Sequence, residues 1–429
     1  MNILKTMTDI NMVVGIIMTV AYFYQIVYML VGLFGRRIKT EDKPGKLHRF
    51  AAVICARNEQ SVIGELVQSL KKQNYPSELM DIYVLADNCT DSTAQCAEEA
   101  GAIVFERFNK HRVGKGYALD YLFKQIARER GVRYYDGYFV FDADNVVDAE
   151  FVSEMNKTYN KGYDVITCYR NSKNFGKNWI SAGYSIWFLR EARFLNFPRM
   201  LFKTSCAVSG TGFLVSGRII EENGGWPFYL LTEDIQFSVD CALKGHKIGY
   251  CDGAVIYDEQ PTTFSQSWTQ RMRWSKGFYQ VDAKYALSLI RGALTHKGSR
   301  LSCYDMFMTV APGMLLTLFT IVFNTFICAS CWSQPHYLSA LILSRAGQFI
   351  AFALLSFYVG LFLYGLLTVL SEWKKIRATP AQKLGYLTLF PVFMATYIPI
   401  SLIALVSKVE WKPIRHFSTR EMAAETKHN

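Results

Sequence analysis

The hydrophobic rhythm of the chain changes three times. Residues 10–34 form an apolar run without a formal charge, about 25 residues and so long enough to cross a hydrocarbon layer of ~30 Å at 1.5 Å per residue. This predicts a transmembrane helix. A cleaved leader fits less well, because the run is long and its end, Gly32-Leu33-Phe34, puts a bulky residue where cleavage needs a small one. From Phe50 the pattern becomes short β-branched and aromatic runs at 51–55, 82–86, 102–105 and 138–141, alternating with amphipathic stretches. Such a βαβ series predicts a largely parallel, Rossmann-like α/β sheet, whose ligands bind at the carboxyl ends of its strands. After Gly277 the rhythm turns membranous. Residues 277–294 carry Phe278, Tyr279, Tyr285, Ala286, Leu289 and Ile290 on one face beside Lys276, Lys284 and Arg291, the pattern of an interfacial helix. Runs at 306–330, 346–370 and 384–406 are candidate spans, the last broken by Pro391 and Pro399.

These changes divide the chain into a membrane helix with linker (1–47), an α/β domain (48–276), an interfacial helix (277–300), a helical membrane region (301–410) and a polar tail (411–429). Lys5 precedes the first apolar run, whereas Arg36, Arg37 and Lys39 follow it. The positive-inside rule therefore places the α/β domain in the cytosol of a multi-pass plasma-membrane protein. Lys374, Lys375 and Arg377 likewise favour a cytosolic loop. At the end of the chain count and rule collide, because four passes put Lys408, Lys412 and Arg415 outside.

Composition sharpens the picture. With 429 residues and 51% hydrophobic positions there is room for one catalytic domain plus membrane segments. The net charge of +11 is dispersed and flanks apolar runs, which points to anionic lipid and a diphosphate ligand and away from nucleic acid. Ten cysteines at irregular spacing, several within apparent strands or helices, are the usage of a reducing compartment. The one close pair, Cys328 and Cys331, has no second pair or histidines to complete a zinc site.

The candidate chemistry sits at the predicted strand ends. The first strand runs into Asn58-Glu59, the second into Asp87-Asn88-Cys89-Thr90-Asp91, and the fourth into Asp142-Ala143-Asp144-Asn145. Asp91 and Asp148 suit helix caps. Asp142 and Asp144 flank a single residue of an extended loop, so both carboxylates can face one hard divalent cation, Mg2+ or Mn2+. Downstream, Thr232-Glu233-Asp234 heads an amphipathic run in which Thr232 can cap a helix with two carboxylates in its first turn. Gln270-Arg271-Met272-Arg273-Trp274 then supplies an amide, two guanidinium groups and an indole, suited to a diphosphate and a sugar ring. Singly, the acidic turn is ordinary dipole complementation and the basic-aromatic cluster a membrane-interface belt. Together they are harder to explain structurally. Gly114-Lys115 and Gly210-x-Gly212 lack the further residues of a phosphate loop or a dinucleotide fingerprint.

Thr-Glu-Asp and Gln-x-x-Arg-Trp at this separation resemble the paired signatures of membrane-embedded family-2 glycosyltransferases, the family of the cellulose, hyaluronan, chitin and poly-N-acetylglucosamine synthases. The resemblance runs from about Phe50 to Trp274 and implies a GT-A fold inserted between transmembrane helices. It implies nucleotide contacts from Asn58, Glu59, Asp87, Lys115 and Asp142, and metal ligation by Asp142 and Asp144. It also implies acceptor and diphosphate contacts from Gly210, Thr211, Glu233, Gln270, Arg273 and Trp274, with Asp234 as general base. Asn88-Cys89-Thr90 departs from the Gly-Ser-Thr of many members, and no cellulose-synthase-type regulatory module follows. The implied reaction is inverting, metal-dependent transfer from a UDP-linked sugar to a growing β-linked polysaccharide of a bacterial cell surface, with export through the membrane. Because four candidate helices enclose little polar lumen, export is expected to need a companion subunit or a homo-oligomer. One rival transfers a single sugar to a lipid acceptor. Another, a nucleotide-sugar sensor or transporter, would have no use for a base at Asp234.

Overall fold

The computed structural model describes residues 2–35, 45–295, 299–310, 312–330, 335–410 and 416. The basic residues Arg36, Arg37, Lys39, Lys412 and Arg415, and Cys331, lie outside the described residues. The nine described cysteines are all free thiols.

Eight strands build one sheet: β1 (Phe50–Ala56), β2 (Met80–Asp87), β3 (Ile103–Arg107), β4 (Gly137–Asp142), β5 (Val146–Val147), β6 (Val165–Ser172), β7 (Phe213–Ser216) and β8 (Ile248–Asp258). Their order is β3-β2-β1-β4-β7-β6-β8-β5. All four strands predicted from the sequence are present, with ends moved by one or two residues. Parallel ladders join β1 to β2 and β4, β2 to β3, and β6 to β8. β7 runs antiparallel between β4 and β6, so β6 and β8 point the same way as β4. Asp87, Asp142 and Asp258, each the last residue of its strand, therefore share one edge of the sheet.

Helices cover both faces, which is why β1 and β4 read as unbroken apolar runs. On one face lie α2 (Ile63–Lys71), α3 (Thr93–Glu99) and α5 (Phe151–Tyr159), burying Leu66, Val67, Ala97, Phe151 and Met155 against Ala52, Ile54, Phe139 and Phe141. On the other lie α4 (Lys115–Arg130), α6 (Trp179–Glu191), α8 (Gly217–Glu222) and α9 (Glu233–Lys244), sharing a core around Trp226 with Phe123, Phe213, Phe228 and Phe237.

Membrane elements are tied to this body by buried polar groups. α1 (Asn2–Phe34) meets α7 (Phe197–Leu201) and α11 (Arg300–Val310). There the Asp305 carboxylate takes Arg199 in a fork at 2.7 and 2.8 Å, and the hydroxyls of Tyr24 and Tyr28 at 3.1 and 3.0 Å. Every lone pair of that buried anion is thus engaged, as burial demands. α10 (Phe264–Thr295) is one continuous helix. The boundary expected at 276/277 falls inside it, so the Gln-x-x-Arg-Trp motif and the amphipathic stretch form a single rod.

The span expected at 306–330 is helical on both sides of residue 311, as α11 up to Val310 and α12 (Pro312–Ser330), and residue 311 lies outside the described residues. Cys303, Met306 and Val310 of α11 are buried against α9 and α10, so this stretch packs on the α/β body. Among the described residues three helices are long and apolar enough to cross a membrane: Ile3–Phe34, His336–Ser371 and Pro380–Val406. The second is α13 (His336–Ser371). The third is bent into α14 (Pro380–Ala395) and α15 (Tyr397–Val406). Both of its ends lie against the α/β body: Gln382 Nε2 donates to Gly176 O at 3.0 Å, and Lys276 Nζ to Leu405 O at 3.2 Å. Farther on, His416 reaches Glu59.

Candidate active site

A cavity of about 260 Å³ opens at the carboxyl edge of the sheet, between α4, α6, α9 and α10. One end of it is built on β1 and β2. Asp87 lines it and is gripped by the equally buried Arg107 at 2.6 Å. Burial raises the Asp87 carboxyl, and Arg107 works against that rise. Glu59 also lines the cavity, with its carboxylate 2.9–3.0 Å from His416 Nδ1. Burial pulls that imidazole down, but Asp144 and Glu59 outweigh it and hold His416 at about 10. Asn58 does not line the cavity. Its backbone is left-handed at φ 58° and its side-chain oxygen accepts from Thr90 N at 2.8 Å, strapping the β1 loop to the β2 loop. Asp91 and Asp148 accept the backbone N–H groups of Thr93 and Glu150, but the N-cap residues of α3 and α5 are Ser92 and Glu150, so neither aspartate is the cap itself.

In the centre, Asp142 pairs with Lys115, whose ammonium also donates to Gly210 O at 2.7 Å. Thr211 does not face the cavity. Buried, it accepts from Asp142 N at 2.8 Å and donates to Asn145, fixing the loop that carries the acidic pair. Asp144 Oδ2 accepts from Glu259 N at 3.2 Å, and burial, then repulsion from Asp258, pushes its carboxyl well up. Asp258 lies below the usual range: burial works the other way, but the Arg170 guanidinium dominates. Asp142 and Asp144 both line the cavity as hard oxygen donors, so the pair suits Mg2+ or Mn2+. Among the described residues no group of three or more His, Cys, Asp or Glu could hold a metal ion.

At the reactive end, Gly210 stands at φ 81°, where a Cβ would come 3.5 Å from Asp234 Oδ2. The Ser209-Gly210 strand of backbone thus lies against the Asp234 carboxylate. Burial raises Asp234, while the Ile235 N–H, Lys115 and Arg273 oppose the rise. Glu233 lies beside Asp234 at the start of α9. It is buried in the cavity wall, and burial followed by Asp234 pushes it up to about 7. Thr232 does not cap α9 with its hydroxyl, which is buried where α9 starts against Gly277 and has no hydrogen-bond partner among the described residues. Gln270 lines the cavity, and its buried side-chain oxygen likewise has no partner among the described residues. Arg273 donates to Leu231 O at 2.7 Å, and Trp274 meets Tyr184 and Phe188 edge-on at 5.7 and 6.2 Å. Arg271, in contrast, is fully buried away from the cavity. It bonds Phe393 O at 3.1 Å and Thr396 Oγ1 at 2.6 Å and lies on the Phe393 and Tyr397 rings. It fastens α10 to the bent helix pair and is no diphosphate ligand.

Sequence reasoning missed Arg170, Glu191, Trp187, Asp258 and His416, all of which line the cavity. Asp258 carried a signal, since Ile-Tyr-Asp ends an apolar run just as Phe-Val-Phe-Asp does at Asp142. The others acquire their place only through tertiary packing.

Residues 48–277 match the family described as "Glycosyltransferase like family 2". The chain is 25% identical over 234 residues to the beta-monoglucosyldiacylglycerol synthase of Synechocystis sp., covering 53% of this chain and 47% of that one. It is 24% identical over 269 residues to the poly-beta-1,6-N-acetyl-D-glucosamine synthase of Staphylococcus aureus, covering 59% and 63%. It thus spans about half to two thirds of the length of these relatives. In fold it is similar to a mannosyltransferase from Pyrobaculum calidifontis in complex with GDP-Man and Mn2+, with a TM-score of 0.56 at 14% identity over 85% of this chain and 99% of that chain.

Proposed function

The chain belongs to the family-2-like glycosyltransferases, and on that premise we propose that its cavity moves a sugar from a nucleotide-diphosphate donor, UDP-linked, to a hydroxyl of a glycan or lipid acceptor. One observation carries the reading: Asp234 and the Asp142/Asp144 pair open into a single cavity at the carboxyl edge of the sheet. A sensor that only binds would need the acidic pair but no second carboxylate beside the reacting carbon. The GT-A fold supports the same assignment.

In the proposed reaction the acceptor oxygen attacks the anomeric carbon, the bond from that carbon to the diphosphate breaks, and Asp234 takes the hydroxyl proton. Inversion follows from attack opposite the leaving group. Lys115 and Arg273, beside the two acidic residues, offset charge on the departing nucleoside diphosphate. Asp142 and Asp144 would hold the divalent cation, whose chemistry is Lewis-acid stabilisation of the leaving diphosphate. Asp87 and Glu59 line the same cavity, which supports assigning them to the nucleoside.

The three apolar helices support membrane association. We place the α/β body on the cytosolic side, from the basic residues that follow the first apolar run. Relatives named for a polysaccharide and for a glycolipid are about equally similar. The polymer-forming reading is preferred, with processive addition, and because so few helices enclose little lumen, with a companion subunit or self-association for export. The test is a panel of UDP-sugars and GDP-mannose with coupled nucleotide detection and product sizing. A ladder of lengthening products supports polymerisation, a single lipid-soluble product supports the glycolipid reading, and nucleotide release from no donor contradicts transfer itself. Polymer accumulating inside vesicles that hold only monomeric chain would remove the need for a partner.

A further inference from the structure

The reactive end of the cavity holds a carboxylate that the transfer chemistry leaves unused. Glu191 closes α6 and lines the cavity, only partly exposed. Its Oε1 accepts from Ser209 Oγ at 2.6 Å, and its second oxygen takes no hydrogen bond among the described residues. Ser209 is itself pinned by Arg170, which donates to its carbonyl at 2.9 Å, and Gly210 next to it abuts Asp234. Glu191 and Asp234 therefore flank the same dipeptide and face the same space. Immediately after Glu191 the helix widens into a π-type turn, Ala192–Asn196. Such turns re-aim side chains and recur at functional sites. The walls beside Glu191 are aromatic: Trp187 and Phe188 on α6, with the Arg170 guanidinium 3.7 Å from the Phe188 ring centre, and Trp274 opposite.

We infer that Glu191 is an acceptor-binding residue that takes a second hydroxyl of the acceptor while Asp234 receives the proton of the first, so that the acceptor of this site is a pyranose end and not a lipid alcohol. The inference rests on the transferase reading above. A carboxylate only accepts hydrogen bonds, and the free oxygen of Glu191 calls for a second donor on the acceptor that Asp234 deprotonates. A sugar offers neighbouring hydroxyls and an apolar ring face to stack on the indoles. Diacylglycerol offers one hydroxyl, which Asp234 already engages, and would leave the Glu191 oxygen buried and unpaired against acyl chains.

The experiment uses the full-length protein in detergent, with short β-linked glucose and N-acetylglucosamine oligomers as one acceptor series and dioleoylglycerol as the other. Donor hydrolysis without acceptor is measured alongside. Wild type is expected to prefer an oligosaccharide. Glu191→Ala should raise the KM for that oligosaccharide about tenfold or more, the scale of one charge-assisted hydrogen bond. Any fall in acceptor-free hydrolysis should be much smaller than the fall in transfer. Glu191→Gln, which keeps the shape and the Ser209 contact, should recover much of the loss. Transfer only to dioleoylglycerol overturns the inference, as does an unchanged oligosaccharide KM in Glu191→Ala or an equal fall in hydrolysis and transfer. Nucleotide release from no donor at all would instead sink the transferase reading on which it rests.

Discussion

Replacing Glu233 by Gln separates two neighbouring carboxylates with different jobs. In the folded protein burial, then repulsion from Asp234, pushes Glu233 up to about 7 from 4.5, with Lys115 and Arg273 offsetting part of the rise. A raised acid holds a proton in the folded state that the unfolded chain has released. Stability therefore falls as pH climbs from 4.5 to about 7, and the full cost persists above that window. At about 1.4 kcal/mol per pH unit the gap amounts to at most about 3 kcal/mol. Gln is neutral at every pH and similar in shape. Glu233→Gln should thus raise the thermal midpoint by several degrees at pH 8.5, at about 2–4 °C per kcal/mol for a domain of this size, and hardly at all near pH 4.5. Differential scanning fluorimetry in detergent at both pH values is the assay. A shift of equal size at the two pH values, or a larger one in acid, would refute the assignment of Glu233 as a carboxylate ionised at a cost.

Other outcomes follow from the same geometry. Asp144→Ala should abolish transfer and weaken Mn2+ binding, read by titration calorimetry with the nucleoside diphosphate present, whereas undiminished turnover in a chelating buffer would count against the acidic pair as cation ligands. Arg271→Ala should lower the thermal midpoint strongly, on the scale of about 3 kcal/mol for a buried cation's lost partners. It should leave donor KM unchanged in the surviving protein, and a selective rise in donor KM would put Arg271 back at the diphosphate.

The sheet and its acidic edge were legible because helices on both faces force unbroken apolar runs, after which the first polar residues, Asp87 and Asp142, must lie at a strand end. The antiparallel insertion of β7 was not, since its four residues pair in either direction with the same composition. Arg271 was misread by reading the motif as a cluster. On a helix of 3.6 residues per turn Gln270, Arg273 and Trp274 share a face and Arg271 turns away from it, here into a cage of Phe393 and Tyr397. Thr232 looked like a cap because its residue type fits, yet its hydroxyl is packed against Gly277, from a helix some forty residues on. His416 and Glu191 carry no local pattern at all. Their roles exist only once the bent pair α14–α15 and the Ser209-Gly210 loop are in place.

The central claim is that Asp234 is the base of a sugar transfer. Asp234→Asn preserves the shape and removes the basicity, so nucleoside-diphosphate affinity should match wild type while the initial rate of transfer falls by roughly 10²-fold or more. The decisive measurement is that affinity and that rate side by side in Asp234→Asn and Glu233→Gln. The account predicts tight binding with lost transfer in the first and a milder loss in the second. A near-normal rate in Asp234→Asn with an inactive Glu233→Gln would contradict it.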